Sequence, residues 1–174
     1  MAIKEPHDGP VVRAWLAATD IDSATSRASS AVTWILDSGC TRHMTFARDA
    51  FTEYHTLDRP IPIGIASGGS ISAIAEGSVA VETIVDGSRQ IVEFKDVLHV
   101  PRLAGHLLSV SQLEDDGIEG TIRNRQIRLK REGKTVCIGH SINGTYVISG
   151  TQYETISAYL ATASKQMTAK DAIL

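Results

Sequence analysis

Hydrophobic and polar residues alternate with a period of two over much of the chain from residue 32 onward. Such alternation predicts strands that are buried on one face. The alternating segments are short, and Gly, Asp, Asn and Pro, the usual turn residues, separate them. The predicted strands are 34–36, 61–65, 71–85, 91–94, 118–122, 126–130, 135–139 and 145–149. The pattern therefore predicts an all-β domain.

Apolar residues at helical intervals are confined to three short segments. Residues 107–116 have this spacing, and Gly117 follows them as a plausible C-terminal cap. The last segment, 151–174, also has one apolar helical face, and a single helical turn is predicted at 11–16. We therefore divide the chain into three parts. They are a mostly disordered linker at 1–31, a β-domain at 32–150 and a helical linker at 151–174.

Composition narrows the range of functions. The 174 residues are 43% hydrophobic and carry a formal charge of −3, so bulk positive charge does not drive nucleic-acid binding. No apolar run approaches the roughly 18 residues needed to span a bilayer, and no membrane contact is expected. The two cysteines, Cys40 and Cys137, are too few for a disulfide scaffold and fit a reducing compartment.

An Asp-Ser-Gly turn follows the first predicted strand and is the main candidate for chemistry. The arrangement can put the carboxylate of Asp37 at a strand end, with backbone N–H groups directed at it. Gly39 has no Cβ, so its N–H can approach that carboxylate, and Ser38 can hold the turn by a local hydrogen bond. Taken alone, the tripeptide favours an ordinary β-turn, because Asp, Ser and Gly are the usual turn residues.

Three sequence blocks in a fixed order strengthen the functional interpretation. They are WILDSGCTRHMT at 34–45, DVLHVPRL at 96–103 and LLSVSQL at 107–113. Together they resemble the protease region of copia-type retrotransposon Pol polyproteins, over about residues 32–149. The resemblance implies a small, closed, retropepsin-like β-barrel with a flap hairpin and one short helix. It also implies an aspartic endopeptidase that cleaves the Gag-Pol polyprotein in the cytoplasm, within virus-like particles.

The resemblance assigns the catalytic role to Asp37, with Ser38 and Gly39 shaping its loop. In aspartic proteases two carboxylates share one proton, one activating water and the other polarising the scissile carbonyl. The chain contains one Asp-Ser-Gly, so the second Asp37 would have to come from a homodimer with twofold symmetry. Because water is the nucleophile, no cofactor is implied.

The same resemblance predicts a flap that closes over substrate and excludes water. The residues assigned to it are Ala66, Ser67, Gly68, Gly69 and Ser70. An ordinary solvated hairpin would explain this segment equally well. The block at 107–113, which includes Ser109, resembles the segment that packs beside the catalytic loop.

Two Cys-x-x-His pairs have the spacing of zinc ligands, at Cys40 and His43 and at Cys137 and His140. We expect no metal, because thiolate ligands beside a catalytic Asp would disrupt it, and buried Cys is common as a small hydrophobic residue.

A basic segment near the end of the β-domain suggests a weak RNA contact. Its main residues are Arg123, Arg125, Arg128 and Lys130. No aromatic residue is interleaved with them, which favours a solvated hairpin face over a stacking surface for RNA bases. The rival to the protease hypothesis is accordingly a non-catalytic β-barrel module of the polyprotein, used for assembly or RNA contact.

Similar short sequences lie on both sides of the β-domain, WLAAT at 15–19 and YLATA at 159–163. Because retropepsin-like enzymes accept bulky apolar side chains around the cut, both are predicted processing sites. Two short amphipathic helices of coincidental composition would explain them equally well.

Overall fold

Eleven strands and one short helix make up the described part of the chain, which is residues 12–14, 31–65 and 68–152 of a computed structural model. The strands are β1 (Val12–Ala14), β2 (Ala31–Asp37), β3 (Met44–Thr45), β4 (Phe51–Ile65), β5 (Ser70–Val85), β6 (Ser88–His99), β7 (His106–Ser109), β8 (Ile118–Arg123), β9 (Gln126–Arg131), β10 (Lys134–Ile142) and β11 (Thr145–Gln152). Helix α1 is Val110–Asp115, and Arg48–Ala50 forms a 3-10 turn. The all-β prediction is confirmed.

Backbone pairing connects six of the strands in a ring. In order around the ring, these strands are β5, β6, β3, β7, β2 and β11, and β11 pairs again with β5. The last contact is short and joins Thr151 to Glu82 and Gln152 to Val81. Strands β4 and β1 extend the sheet beyond β5, while β10, β9 and β8 extend it beyond β11. The domain is therefore barrel-like, with a sheet extension on each side.

The hairpin turns follow from the residues at their tips. Four of them have two successive residues with positive φ, at 86–87, 124–125, 132–133 and 143–144. This backbone matches the right-handed twist of two-residue hairpins and is accessible to Gly and Asn, as at Asn143 and Gly144. The Asn-Gly signal thus correctly located the hairpin between β10 and β11.

Both faces of β2 are buried, which fixes the strand that ends in Asp37. Trp34 is fully buried in one apolar cluster, and its ring centroid lies 5.9 Å from that of Phe94. Ile35 points the other way, into a second cluster with Leu107. Both faces are covered at Trp34 and Ile35, while Thr33 near the start of the strand is exposed, so residues 34–36 are a continuous apolar run rather than an alternating one.

Two local predictions were wrong. The helix expected at 107–116 begins only at Val110, because Leu107 and Leu108 are buried in β7 as a parallel neighbour of β2. It ends as predicted, with Gly117 at φ +72° and its N–H donating to the carbonyl oxygen of Glu114. The helical turn expected at 11–16 is also wrong, because Val12–Ala14 is a strand parallel to β4. In both segments, pairing with a distant strand outweighs local spacing.

Several predictions concern residues outside the described ranges. They are the disorder of most of 1–31, the two processing sites and the helix at 151–174 beyond Gln152, so these and the domain boundaries stay predictions. Thr151 and Gln152 themselves are the last residues of β11 rather than helical. Among the described residues, no helix is long and apolar enough to cross a membrane.

Gly77 offers a test of the packing between β4 and β5. An added Cβ would overlap the carbonyl oxygen of Glu53, which is backbone and cannot swing away. We expect Gly77→Ala to lower the free energy of unfolding by at least about 2 kcal/mol in urea denaturation. At Gly120 an added Cβ would meet only side-chain atoms, at 3.5 and 3.6 Å. Gly120→Ala should therefore change the free energy of unfolding by less than about 1 kcal/mol. Equal losses in the two variants would contradict this account.

Candidate active site

Asp37 ends β2, and the two oxygens of its carboxylate have different environments. Oδ1 accepts a hydrogen bond of 2.7 Å from the backbone N–H of Gly39, as the sequence predicted. Oδ2 is buried, and no described residue donates a hydrogen bond to it. The side chain as a whole is half-buried, and Ser38 beside it is exposed. The turn thus holds one carboxylate oxygen and leaves the other without a protein partner.

Strand β7 lies beside the turn, as the third sequence block predicted. It runs parallel to β2, with Asp37 in register with Ser109. The Ser109 hydroxyl donates to the carbonyl oxygen of Cys40 at 2.7 Å and accepts from the N–H of Gln112 at 3.1 Å. The serine therefore ties the loop after Asp37 to the first turn of α1, where it acts as the N-cap.

His43 and Gln112 complete this buried network. The N–H of Ser109 donates to Nδ1 of His43 at 3.0 Å, and the N–H of His43 donates to Oε1 of Gln112 at 2.6 Å. The Gln112 amide nitrogen donates in turn to the carbonyl oxygen of Lys95 at 3.0 Å. Sequence reasoning missed both roles. The available signal was Gln112, the one long polar side chain in the block at 107–113, directly before Leu113.

The network requires a neutral His43. Its ring is fully buried, and burial lowers its pKa to about 3, with a smaller contribution from the charge of Arg42. Nδ1 accepts a hydrogen bond, so the ring proton is on Nε2, which lies 3.9 Å from Oδ2 of Asp116. That distance exceeds a hydrogen bond, so Nε2 has no hydrogen-bond acceptor among the described residues.

Cys40 is buried under the same turn. Its thiol donates to the carbonyl oxygen of Asp37 at 3.4 Å. Burial, and then the nearby charge of Asp37, raise the pKa of Cys40 to about 12, and burial does the same for Cys137. Both thiols are therefore protonated at neutral pH. Within the described ranges, no three or more His, Cys, Asp or Glu side chains are arranged to hold a metal ion.

The segment assigned to the flap is the turn between β4 and β5. The N–H of Ile65 donates to the carbonyl oxygen of Gly69 at 3.1 Å. The N–H of Gly68 donates to the carbonyl oxygen of Ile65 at 3.0 Å. Gly68 has φ +84°, which Gly adopts without strain. Gly68, Gly69 and Ser70 are exposed, while Ala66 and Ser67 lie outside the described residues. Closure over a substrate stays a prediction.

An apolar groove of about 740 Å³ opens beside Ser38. Leu36 and Ser38 line it and Asp37 between them does not, as expected when successive side chains point to opposite faces, so the groove flanks the Asp37 turn without containing its carboxylate. The opposite walls come from α1, β8 and β9, including Val110 and Ile122, which are exposed by 41% and 59%. Such a groove on a small domain is typical of a binding surface.

The four basic residues proposed for RNA contact differ in their exposure and in their hydrogen-bond partners. Arg128 donates two hydrogen bonds to the carboxylate of Asp86, at 3.1 and 3.3 Å, so its charge is already paired. Arg125 reaches the hydroxyl of Ser141 at 3.5 Å, and Arg123 is exposed at the end of β8. Lys130 is half-buried on β9. The hairpin therefore offers less free positive charge than its sequence suggests.

The fold and the site together define a class of protein: an all-β, barrel-like domain with an Asp-Ser-Gly turn beside a buried parallel strand. Residues 34–118, from β2 to the start of β8, match the family model described as the Pol polyprotein, beta-barrel domain.

Two curated relatives come from transposons. The chain is 31% identical over 123 residues to the retrovirus-related Pol polyprotein from transposon TNT 1-94 of Nicotiana tabacum, covering 70% of this chain and 8% of that protein. It is 35% identical over 89 residues to a putative transposon Ty5-1 protein of Saccharomyces cerevisiae, covering 51% of this chain and 54% of that protein. No solved structure matches the chain. These similarities support a retrotransposon Pol domain.

The buried neutral His43 predicts acid sensitivity. In the unfolded chain its pKa returns to about 6.5, against about 3 in the folded chain. Between these values the unfolded state binds more protons, so the stability that neutral His43 contributes is complete above pH 6.5 and is lost as the pH falls. In His43→Asn, the amide oxygen can still accept from Ser109. As the pH falls below 6, the free energy of unfolding of the variant should therefore decrease by about 1.4 kcal/mol less per pH unit than that of the parent.

Urea denaturation at a series of pH values measures this difference. His106, whose pKa burial lowers to about 4, contributes a similar slope that both proteins share. Identical pH slopes for the parent and His43→Asn would mean that His43 is not neutral in the folded chain.

Proposed function

We propose that this domain is a retropepsin-like aspartic endopeptidase that acts as a homodimer on the polyprotein that contains it. The observation that carries the proposal is the Asp37 carboxylate at the end of β2. Its Oδ1 is held by Gly39, and its Oδ2 has no hydrogen-bond donor among the described residues. A structural Asp in a turn ordinarily uses both oxygens or exposes them to water, since a buried unpartnered oxygen is unfavourable.

The chemistry needs a second carboxylate. Two Asp37 side chains meeting at a twofold axis would share one proton, because like charges so close cannot both ionise. The ionised carboxylate takes a proton from water, which attacks the scissile carbonyl, and the protonated one donates a hydrogen bond to the carbonyl oxygen. The roles of Ser38 and Gly39 are positional: they hold the turn so that the carboxylates approach in one geometry.

The groove beside Ser38 is the surface we assign to the partner copy. It is mainly apolar, and its walls at Leu36 and Ser38 immediately flank Asp37. Asp37 does not line the groove, so the two Asp37 turns would approach each other at its margin. In a twofold dimer the contact is isologous, so the groove of one copy would face the groove of the other.

The substrate would be an extended segment of a Gag-Pol polyprotein, held under the flap at 66–70. Both relatives are transposon proteins and one is a Pol polyprotein, which supports this substrate class. No cofactor takes part in the proposed reaction. The corresponding location is the cytoplasm, within virus-like particles.

A non-catalytic module of the polyprotein is the second candidate. It is favoured by the enclosure of Oδ2 within a single chain and by the four strands after Gly117, of which β11 completes the ring of pairing. In this alternative the Asp37 turn is structural, and contacts to RNA or to other segments of the polyprotein come from the surface of β8 and β9.

Asp37→Asn separates the two candidates. The amide oxygen can still accept from Gly39, so the fold should persist while acid–base chemistry is lost. Cleavage of a synthetic peptide that includes residues 15–19, followed by mass spectrometry, should fall at least about 100-fold relative to the parent. Asp58→Asn, at an exposed position of β4, should retain the parent rate. Absence of cleavage by a dimeric parent, or equal cleavage by Asp37→Asn, would favour the module.

Ile122→Asp tests the proposed dimer surface. A carboxylate on the groove wall would be desolvated in the dimer, so we expect the dimer dissociation constant to rise at least about tenfold in sedimentation equilibrium. Ile91→Asp is the matched control, because Ile91 is 52% exposed but lies on β6, away from the groove. The same dissociation constant for both variants would exclude the groove as the contact.

A further inference from the structure

The outer edge of β4 near the flap turn carries an extended segment from the N-terminal part of the chain. Strand β1 pairs with it in parallel, with Val12 opposite Ile63, Arg13 opposite Gly64 and Ala14 opposite Ile65. The contact covers three residues, and residues 15–30 separate β1 from β2. Few hydrogen bonds therefore hold β1 on the sheet, and they have to offset the entropy cost of closing the long connection to β2.

Gly64 supplies the hydrogen bonds of this edge. The N–H and carbonyl of Ile65 both face β5, since they bond to Gly69 and Gly68. Backbone groups of successive strand residues point to opposite sides, so those of Gly64 and Pro62 face outward. Proline has no N–H, and within 61–65 Gly64 therefore offers the one outward donor. The usable edge is narrow and centred on Gly64.

The register also determines which atoms of the N-terminal segment are used. In a parallel pair, a residue bonds to the two neighbours of its register partner. The N–H of Gly64 is therefore directed to the carbonyl oxygen of Val12, and the carbonyl of Gly64 to the N–H of Ala14. The N–H of Arg13 points away from β4 and takes no part.

We propose that this edge is a recognition site for an extended polypeptide and that the chain's own segment at Val12–Ala14 is its tethered, exchangeable ligand. Edge strands bind extended segments by adding them to the sheet, with affinity from main-chain hydrogen bonds. Because β1 runs parallel to β4, the docked chain leaves Ala14 in the direction of the flap turn. The inference does not require peptidase activity.

A matched pair of substitutions in the full chain tests docking within one molecule. Gly64→Pro removes the outward N–H and spares pairing with β5, whereas Gly64→Ala keeps the N–H. All proteins carry Asp37→Asn, so no cleavage can complicate the result. Amide hydrogen exchange by NMR should show Ala14 at least tenfold slower than in an unstructured peptide in the parent and in Gly64→Ala. In Gly64→Pro, Ala14 should exchange at the peptide rate.

The amide of Ile65 reports the integrity of the hairpin and should stay protected in all three proteins, because its partner is Gly69. Rapid exchange of Ala14 in the parent, or persistent protection of Ala14 in Gly64→Pro, would overturn the proposal.

Exchange with a second molecule is tested by adding an unlabelled peptide of residues 8–18 to the labelled parent. Excess peptide should displace the tethered segment, so that Ala14 of the protein loses its protection. A peptide with Ala14→Pro lacks the required N–H and should not compete, whereas one with Arg13→Pro should compete, since that N–H is unused. If the unsubstituted peptide leaves Ala14 protected, or if the two proline peptides act alike, the edge is not an exchangeable recognition site.

Discussion

The parallel pairing of β2 with β7 is the contact on which the candidate site depends. It joins two segments far apart in the sequence and sets Asp37 beside Ser109. Parallel neighbours need a long crossover connection, and here β3 to β6 supply it. Burial on both faces holds β2 in place, so the position of the turn after it is determined by the core. Everything described around Asp37 follows from that placement.

The polar network beneath the turn gives the loop a single conformation. Ser109, His43 and Gln112 each satisfy backbone groups that would otherwise be buried without partners. Buried networks of this kind specify one arrangement when their members are bonded and are costly when one is removed. In the proposed dimer, the Asp37 carboxylate would have to be positioned to within about 0.5 Å, which needs such support. The same network depends on a neutral imidazole, which links the geometry of the site to pH.

The domain presents an incomplete set of functional groups at its surface. One oxygen of the Asp37 carboxylate is held and the other is buried without a donor, an apolar groove opens beside Ser38, and a sheet edge near the flap turn offers a single outward N–H. Each of these features is complemented by polypeptide, whether a second copy or an extended segment. This common requirement is consistent with a domain that lies within a longer polyprotein and works on or through its neighbouring segments.

The sequence by itself determined the all-β class, most strands and the hairpin turns, because period-two alternation and residues such as Asn143 and Gly144 act locally. It also identified Asp37, Ser38 and Gly39 as one turn, and the family resemblance of the third block implied that Ser109 lies beside it. Only the tertiary structure decided that 107–109 is a strand, that Val12–Ala14 joins the edge of β4, and that His43 and Gln112 support the site. These depend on partners distant in the chain, and local spacing carries no information about which distant strand or carbonyl a residue will meet.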